Sequence, residues 1–347
     1  MTFDRKATPD QRLAHVRDLV SALNADGLPI FLGPFSSELG FEVMYWLPFL
    51  TKLKSQVKDF DQRAIVITRG GAGCLYTSIA SRGIDLYAIR TVTDVRRAAL
   101  KTQRRTLIQK QVTQTPFEDA VLNDVARAFQ THRPYHVIHP SWMYWACEPY
   151  WENVAGLKYL LSLCDYTPIV PPKVPESLKL PPKYVAAKWY GRATFPYPDP
   201  DVAGFVKTTT ATLAAQVPVV CLETPEAYDD HADIPVVGQN VGTIGAGCPP
   251  HENVALQAAV IAGATGFVGT YGGTAQLALR MGKPTICFYK DWGGTAYGHR
   301  SLNTWLGLQT GVPFLVGSLS DVFLWGQVTG LPAPAAQPAA RQAMVKA

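Results

Sequence analysis

The sequence predicts an α/β protein of two tandem domains, each a parallel sheet covered by helices. Three observations predict it. Short apolar runs alternate with helical segments along the chain, one stretch with six prolines interrupts that alternation between residues 168 and 182, and 347 residues suit two domains. Hydrophobic residues make up 47% and charged residues 17% of the chain, which excludes a disordered or fibrous protein. No apolar run reaches the ~18–20 residues that span a bilayer, and "MTFDRKATPDQR" lacks the basic-then-apolar order of a signal peptide, so a cytoplasmic location is expected. Six cysteines without a CxxC pair read as reduced core thiols, and a net charge of +5 is too mild to argue for nucleic acid.

The elements follow in order. "TPDQRLAHVRDLVSALNADG" reads as a helix capped by Thr8, with Pro9 at its first position and Gln11 closing a capping box. "LPIFLGPF" is a short buried strand, "SSELG" a turn, and "FEVMYWLPFLTKLKSQV" a helix that Pro48 should kink. The strand "RAIVITRGG", helical material from Asp94 to Gln130 and the strand "YHVIHP" complete a domain over residues 1–167. The proline-rich connection, residues 168–182, suits a stiff extended linker. A second domain over residues 183–330 repeats the pattern through "YVAAKWY", "VPVVCLE", "DIPVVG", "HENVALQAAVIAGA", "GFVGTYG", "GTAQLALRMG" and "PTICFYKD". The helical pair "HRSLNTWLGLQTG" and "SLSDVFLWGQVTG" brackets "VPFLVG", and residues 331–347 form a low-complexity tail. Two Rossmann-like domains so joined enclose a cleft faced by the carboxyl ends of both sheets, where a ligand is expected.

Candidate site residues cluster at those ends. In "GTYGGTAQ" a strand runs through Thr270, Tyr271, Gly272, Gly273 and Thr274 into a helix. Backbone N–H groups and the helix N-terminus there could hold a diphosphate, or the glycines could simply allow a tight turn. The turn is neither GxGxxG nor a P-loop, so a dinucleotide oxidoreductase or an NTPase has little motif support. The histidines have no metal-ligand partner at a useful spacing, and no metal site is expected.

The stretch "HENVALQAAVIAGATGFVGTYGGTAQLALRMGKPTICFYKD" resembles the donor-binding half of GT-B glycosyltransferases, especially the heptosyltransferase and fucosyltransferase-like groups. The likeness covers Lys183 to Trp292. It departs from the heptosyltransferases at the turn, where an acidic residue commonly precedes Ser/Thr-Gly and this chain has Thr270-Tyr271-Gly272. The resemblance implies a metal-independent, Leloir-type transferase of polysaccharide biosynthesis that needs no cofactor. Its co-substrate would be a nucleotide-sugar and its acceptor a glycan or glycolipid. It gives Lys188 and Arg192 the donor phosphates, whose departing charge such cations neutralise. An inverting transfer needs a carboxylate to take the acceptor's proton, and Glu38 and Glu42, expected to point into the cleft, are the candidates. Glu42 also suits dipole complementation at a helix start, which leaves Glu38 as the preferred base. His299 could donate to a phosphate or sugar hydroxyl, or cap and pack.

Arg97, Lys101, Arg104 and Arg105 share a helical face that could meet an anionic acceptor or the inner face of a membrane, although such a run also makes an ordinary solvated face. Trp142, Tyr144, Trp145, Tyr150 and Trp151 could stack on sugar rings or fill an interface. A sugar-nucleotide epimerase and a non-catalytic sugar-nucleotide or glycan-binding protein are the competing readings.

Overall fold

The computed structural model describes residues 3–106, 111–131, 134–224, 231–291 and 297–319. The first half carries β1 (Ile30–Leu32), β2 (Ala64–Thr68), β3 (Arg82–Asp85) and β4 (His136–Ile138). The second half carries β5 (Val185–Lys188), β6 (Tyr190–Gly191), β7 (Val219–Leu222), β8 (Ala232–Asp233), β9 (Val241–Ile244), β10 (Gly266–Thr270), β11 (Thr285–Tyr289) and β12 (Phe314–Ser318). One sheet has the order β3-β2-β1-β4 and the other β12-β11-β10-β5-β7-β9, with parallel pairing in both, while β6 and β8 form an antiparallel ribbon. Two parallel sheets with crossover helices are the expected tandem Rossmann-like architecture. The strand order reverses beside β1 in the first sheet and between β5 and β10 in the second. Ligand crevices open at such switch points, so β1, β5 and β10 decide where the site lies.

The helical region read from Asp94 to Gln130 resolves into Val92–Thr106 and Pro116–Ala128, and "VPFLVG" forms β12. The sequence reading missed β3 and β9. Both lie at a sheet edge and carry exposed or half-buried residues, so neither shows the apolar run that marks a central strand. The helix expected over "SLSDVFLWGQVTG" falls almost wholly, and the tail 331–347 entirely, outside the described residues.

The helix expected to kink at Pro48 changes its winding just before that residue. Leu39–Phe41 is α-helical, Glu42–Trp46 is a π-turn, and Leu47–Lys54 resumes the α-helix with Pro48 at its start. Proline has no N–H to offer the carbonyl one turn back, and the widened turn leaves neighbouring carbonyls without helical donors. Tyr166 OH donates to Met44 O at 3.0 Å and Arg280 Nη1 to Val43 O at 2.8 Å.

Arg280 belongs to the helix Gly273–Arg280 of the second half, so these bonds cross between the two halves. It is buried, donates also to Thr167 O at 2.8 Å, and lies over the Tyr166 ring. Burial lowers its pKa to about 10. The backbone N–H of Ile169, in the proline-rich connection, donates to the carbonyl of Arg280 at 3.0 Å. The connection forms no helix or strand, and Leu178 and Leu180 pack against a core that includes Leu32 and Val66 of one sheet and Ala186 and Phe267 of the other.

Candidate active site

A cavity of about 350 Å³ lies between the carboxyl ends of the two sheets. Glu38, Gly40 and Arg69 line it from the first half; Lys188, Arg192, Asp233, Gly273 and Thr274 are among its walls in the second. The elements above explain the convergence. Glu38 follows β1, Arg69 follows β2, Lys188 ends β5, Arg192 follows β6, and Gly273 opens the helix after β10.

The glycine pair has a role the sequence did not suggest. A Cβ on Gly273 would fall 2.6 Å from the Gly40 nitrogen, and one on Gly40 would fall 2.7 Å from Gln276 Oε1. The "SSELG" turn is therefore seated directly on the glycine turn, backbone against backbone. Gly272 admits a different neighbour, because a Cβ there would lie 1.9 Å from Tyr190 OH. Of the predicted turn residues, Gly273 and Thr274 line the cavity and Thr270, Tyr271 and Gly272 do not. Thr270 instead fixes the ribbon, its hydroxyl accepting from Tyr190 N–H and donating to Tyr190 O, both at 3.0 Å. Tyr271 is buried, and its hydroxyl accepts from Asn303 Nδ2 at 3.1 Å.

Lys188 lies in the cavity wall but is not a bare cation. Its Nζ is 2.7 Å from Asp233 Oδ1 and 2.9 Å from Oδ2, and donates to Thr224 Oγ1 at 2.6 Å. Asp233 Oδ2 also accepts from the Thr224 N–H, so one carboxylate ties together the ends of β5, β7 and β8. A lysine after "YVAA" is thus explained by an ion pair. Arg192 Nη1 donates to Tyr271 O at 3.2 Å, while its buried Nε has no hydrogen-bond partner among the described residues. Arg69, which the sequence reading missed, is mostly buried, and its guanidinium donates to Ser37 O. The signal for it was present, since Arg69 follows an apolar strand just as Lys188 ends one.

The two glutamates separate. Glu38 is half-buried and lines the cavity, whereas Glu42 does not. Glu42 is wholly buried, its Oε1 accepting from Thr68 Oγ1 at 2.7 Å and Tyr76 OH at 2.5 Å. Burial pushes its carboxyl above the ordinary value, and the nearby Arg69 charge only moderates the rise. The expectation that both side chains face the cleft is corrected: the π-turn rotates Glu42 into the core beneath β2.

His299 is also outside the cavity. Its Nδ1 is hydrogen-bonded to Tyr45 OH at 2.6 Å, and its ring meets those of Phe41 and Tyr45 edge-on at 5.4 and 5.3 Å. Burial holds the Tyr45 phenol well above its usual pKa, so it stays neutral. Tyr144 and Trp151 of the aromatic run pack on Phe41, and Tyr150 OH donates to Gly298 O at 2.8 Å. These aromatics fill the interface between the halves.

On the outer helix Val92–Thr106, Arg96, Arg97, Leu100 and Lys101 border a shallow depression, and Arg97 lies 3.5 Å from Asp94. The side chains of Arg104 and Arg105 lie outside the described residues. Among the described residues no helix is long and apolar enough to cross a membrane, and no cluster of His, Cys, Asp and Glu is arranged to hold a metal.

No protein-family model and no curated protein matches the chain. Several solved structures do. The Escherichia coli heptosyltransferase WaaC with ADP is 13% identical, with 84% of this chain and 93% of that one covered and a TM-score of 0.44. A glycosyl transferase of family 9 from Veillonella parvula is 12% identical, covering 90% and 92% at a TM-score of 0.42. The dodecameric glycosyltransferase TibC from enterotoxigenic E. coli is 12% identical, covering 75% and 58% at 0.42. The fold assignment rests on the two parallel sheets and their strand orders.

Proposed function

We propose that this chain is a glycosyltransferase that moves a sugar from a nucleotide-sugar to a glycan or glycolipid acceptor. One observation carries the reading: a single cavity sets the carboxylate of Glu38 against Arg69, Arg192 and a helix N-terminus. Lys188 pairs with Asp233, and among the described residues of the wall this leaves an acid and two cations. Transfer of a sugar from a nucleoside diphosphate needs that polarity. A base takes the proton of the acceptor hydroxyl, the oxygen bonds to the anomeric carbon, and the bond from that carbon to the diphosphate oxygen breaks. Negative charge then grows on the diphosphate, and in this reading Arg192, Arg69 and the N–H groups at Gly273 and Thr274 neutralise it. In this reading Glu38 is the base and the cations neutralise the leaving group without a metal. Glu42 and His299 are structural, and Lys188 holds the wall that carries Arg192. The basic residues Arg97 and Lys101 suit an anionic acceptor or the inner face of a membrane.

The test pairs binding with turnover. ADP, GDP and UDP are titrated calorimetrically, and release of nucleoside diphosphate is followed from ADP-glucose, GDP-mannose and UDP-glucose. At least one nucleotide is expected to bind, and Glu38→Gln is expected to lower release ~10²–10⁴-fold while leaving affinity nearly unchanged. Failure of all three nucleotides to bind, or full activity in Glu38→Gln, overturns the assignment. Interconversion of sugars without release would identify an epimerase instead.

A further inference from the structure

Gln111 is a long way from Glu38 in sequence, yet its amide grips the loop that presents Glu38. It is 8% exposed, a low value for a glutamine outside any helix or strand. Its Oε1 accepts from the Ser36 N–H at 2.8 Å, and its Nε2 donates to the Pro34 carbonyl at 2.8 Å. One planar amide therefore satisfies a donor and an acceptor two residues apart on the same loop, a two-point contact that resists both sliding and rotation of the backbone.

The amide is itself held. Its Nε2 also donates to Glu118 Oε1 at 2.6 Å. Glu118 Oε2 accepts from Thr115 N–H at 2.7 Å and Thr115 Oγ1 at 2.8 Å, as the capping box of the helix Pro116–Ala128. His139 Nε2 lies 3.2 Å from Glu118 Oε1. His139 Nδ1 accepts from the Ser141 N–H at 3.1 Å, which turns the Nε2 edge of the ring toward the carboxylate. Burial alone would raise the Glu118 carboxyl; the nearby His139 ring and the hydrogen bonds from Gln111 and Thr115 outweigh it and hold it below its usual value. The amide orientation of Gln111 is thereby fixed by an anion anchored to a helix and to the end of β4.

Two further contacts complete the loop, with Arg69 donating to Ser37 O and Ser37 Oγ lying 2.8 Å from Tyr144 OH. Glu38 has no side-chain cap bond at the helix it precedes, so the loop backbone sets where its side chain starts. Backbone placement then decides whether a base stands within reach of its proton, and displacements of about 1 Å are known to cost large rate factors. We propose that Gln111, locked by Glu118, is a positioning residue that holds Glu38 in line with the cavity. The inference rests on the assignment of Glu38 as the base.

The test is a double-mutant cycle with a readout that needs no substrate. Gln111→Ala should speed amide exchange at Ser36 and Ser37 by at least 10-fold while β5 keeps its protection. Release of nucleoside diphosphate from whichever of ADP-glucose, GDP-mannose and UDP-glucose the parent protein cleaves fastest should fall 10–100-fold, with affinity for the matching nucleotide within threefold. In the Glu38→Gln background the same substitution should change release less than twofold, because there is no base left to misplace. Unchanged exchange at Ser36, or an equal loss in both backgrounds, overturns the positioning role. Full activity of Glu38→Gln alone overturns the base assignment, and the positioning role with it.

Discussion

Gly40 and Gly273, one from each half of the chain, meet backbone to backbone, and a Cβ on Gly273 would run into the Gly40 nitrogen. That contact seats the turn bearing Glu38 beside the helix N-terminus after β10, and both glycines lie on the cavity wall.

Gly273→Ala must push the turns apart, since its methyl would sit 2.6 Å from Gly40 N. A loss of about 1–3 kcal/mol is expected in urea unfolding, as for other overpacked sites. Gly204→Ala is the control. Gly204 is exposed within the helix Pro200–Ala214 with nothing within 4 Å of its Cβ position, so alanine should stabilise by about 0.5–1 kcal/mol. A harmless Gly273→Ala would show that the halves do not rest on this contact.

Arg192→Ala and Arg69→Ala should each weaken binding of the nucleoside diphosphate found in the calorimetric screen by about 1.5–3 kcal/mol. Retained affinity in both variants would remove the phosphate role from these cations.

Lys188→Met should behave differently. It leaves Asp233 facing a mostly buried, uncompensated site, and breaking such a pair costs up to about 3–5 kcal/mol of stability, less here because Asp233 is 24% exposed. Adding Asp233→Asn should recover part of the loss, because the amide oxygen can still accept from Thr224 N–H. No recovery in chemical denaturation would mean that Lys188 acts on the fold independently of Asp233.

Glu42 predicts a pH dependence of stability. Its carboxyl is raised in the folded protein, so it binds its proton more tightly there than in the unfolded chain. Its contribution is complete below the ordinary value of 4.5 and is lost as pH rises from there through the folded value. Relative to the parent, Glu42→Gln should therefore gain stability progressively as pH increases above 4.5. Urea midpoints measured across pH 4 to 8 check this, and a constant difference would show that Glu42 does not titrate in this window.

The capping box at Thr8 and Gln11, the break at Pro48 and the alternation of central strands with helices were legible in the sequence because each depends on neighbours along the chain. The rule that residues at strand ends gather at one cavity put Glu38, Lys188, Arg192, Gly273 and Thr274 on its wall, but it also gathered Glu42, Thr270, Tyr271, Gly272 and His299, which lie off it. Tertiary structure alone decided the rest. The partner of Lys188 is Asp233, 45 residues away, on a two-residue strand with no periodic signature. Glu42 and Glu38 are four residues apart, but the π-turn sends one into the core and leaves the other at the cavity, and no local pattern states that the freed carbonyls will be met by Tyr166 and Arg280. The glycine pair looked like a phosphate cradle from its own strand and helix. Only the arrival of Gly40 from the other half shows that the missing side chains also make space for backbone, because a close approach between distant segments leaves no trace in the spacing of either one.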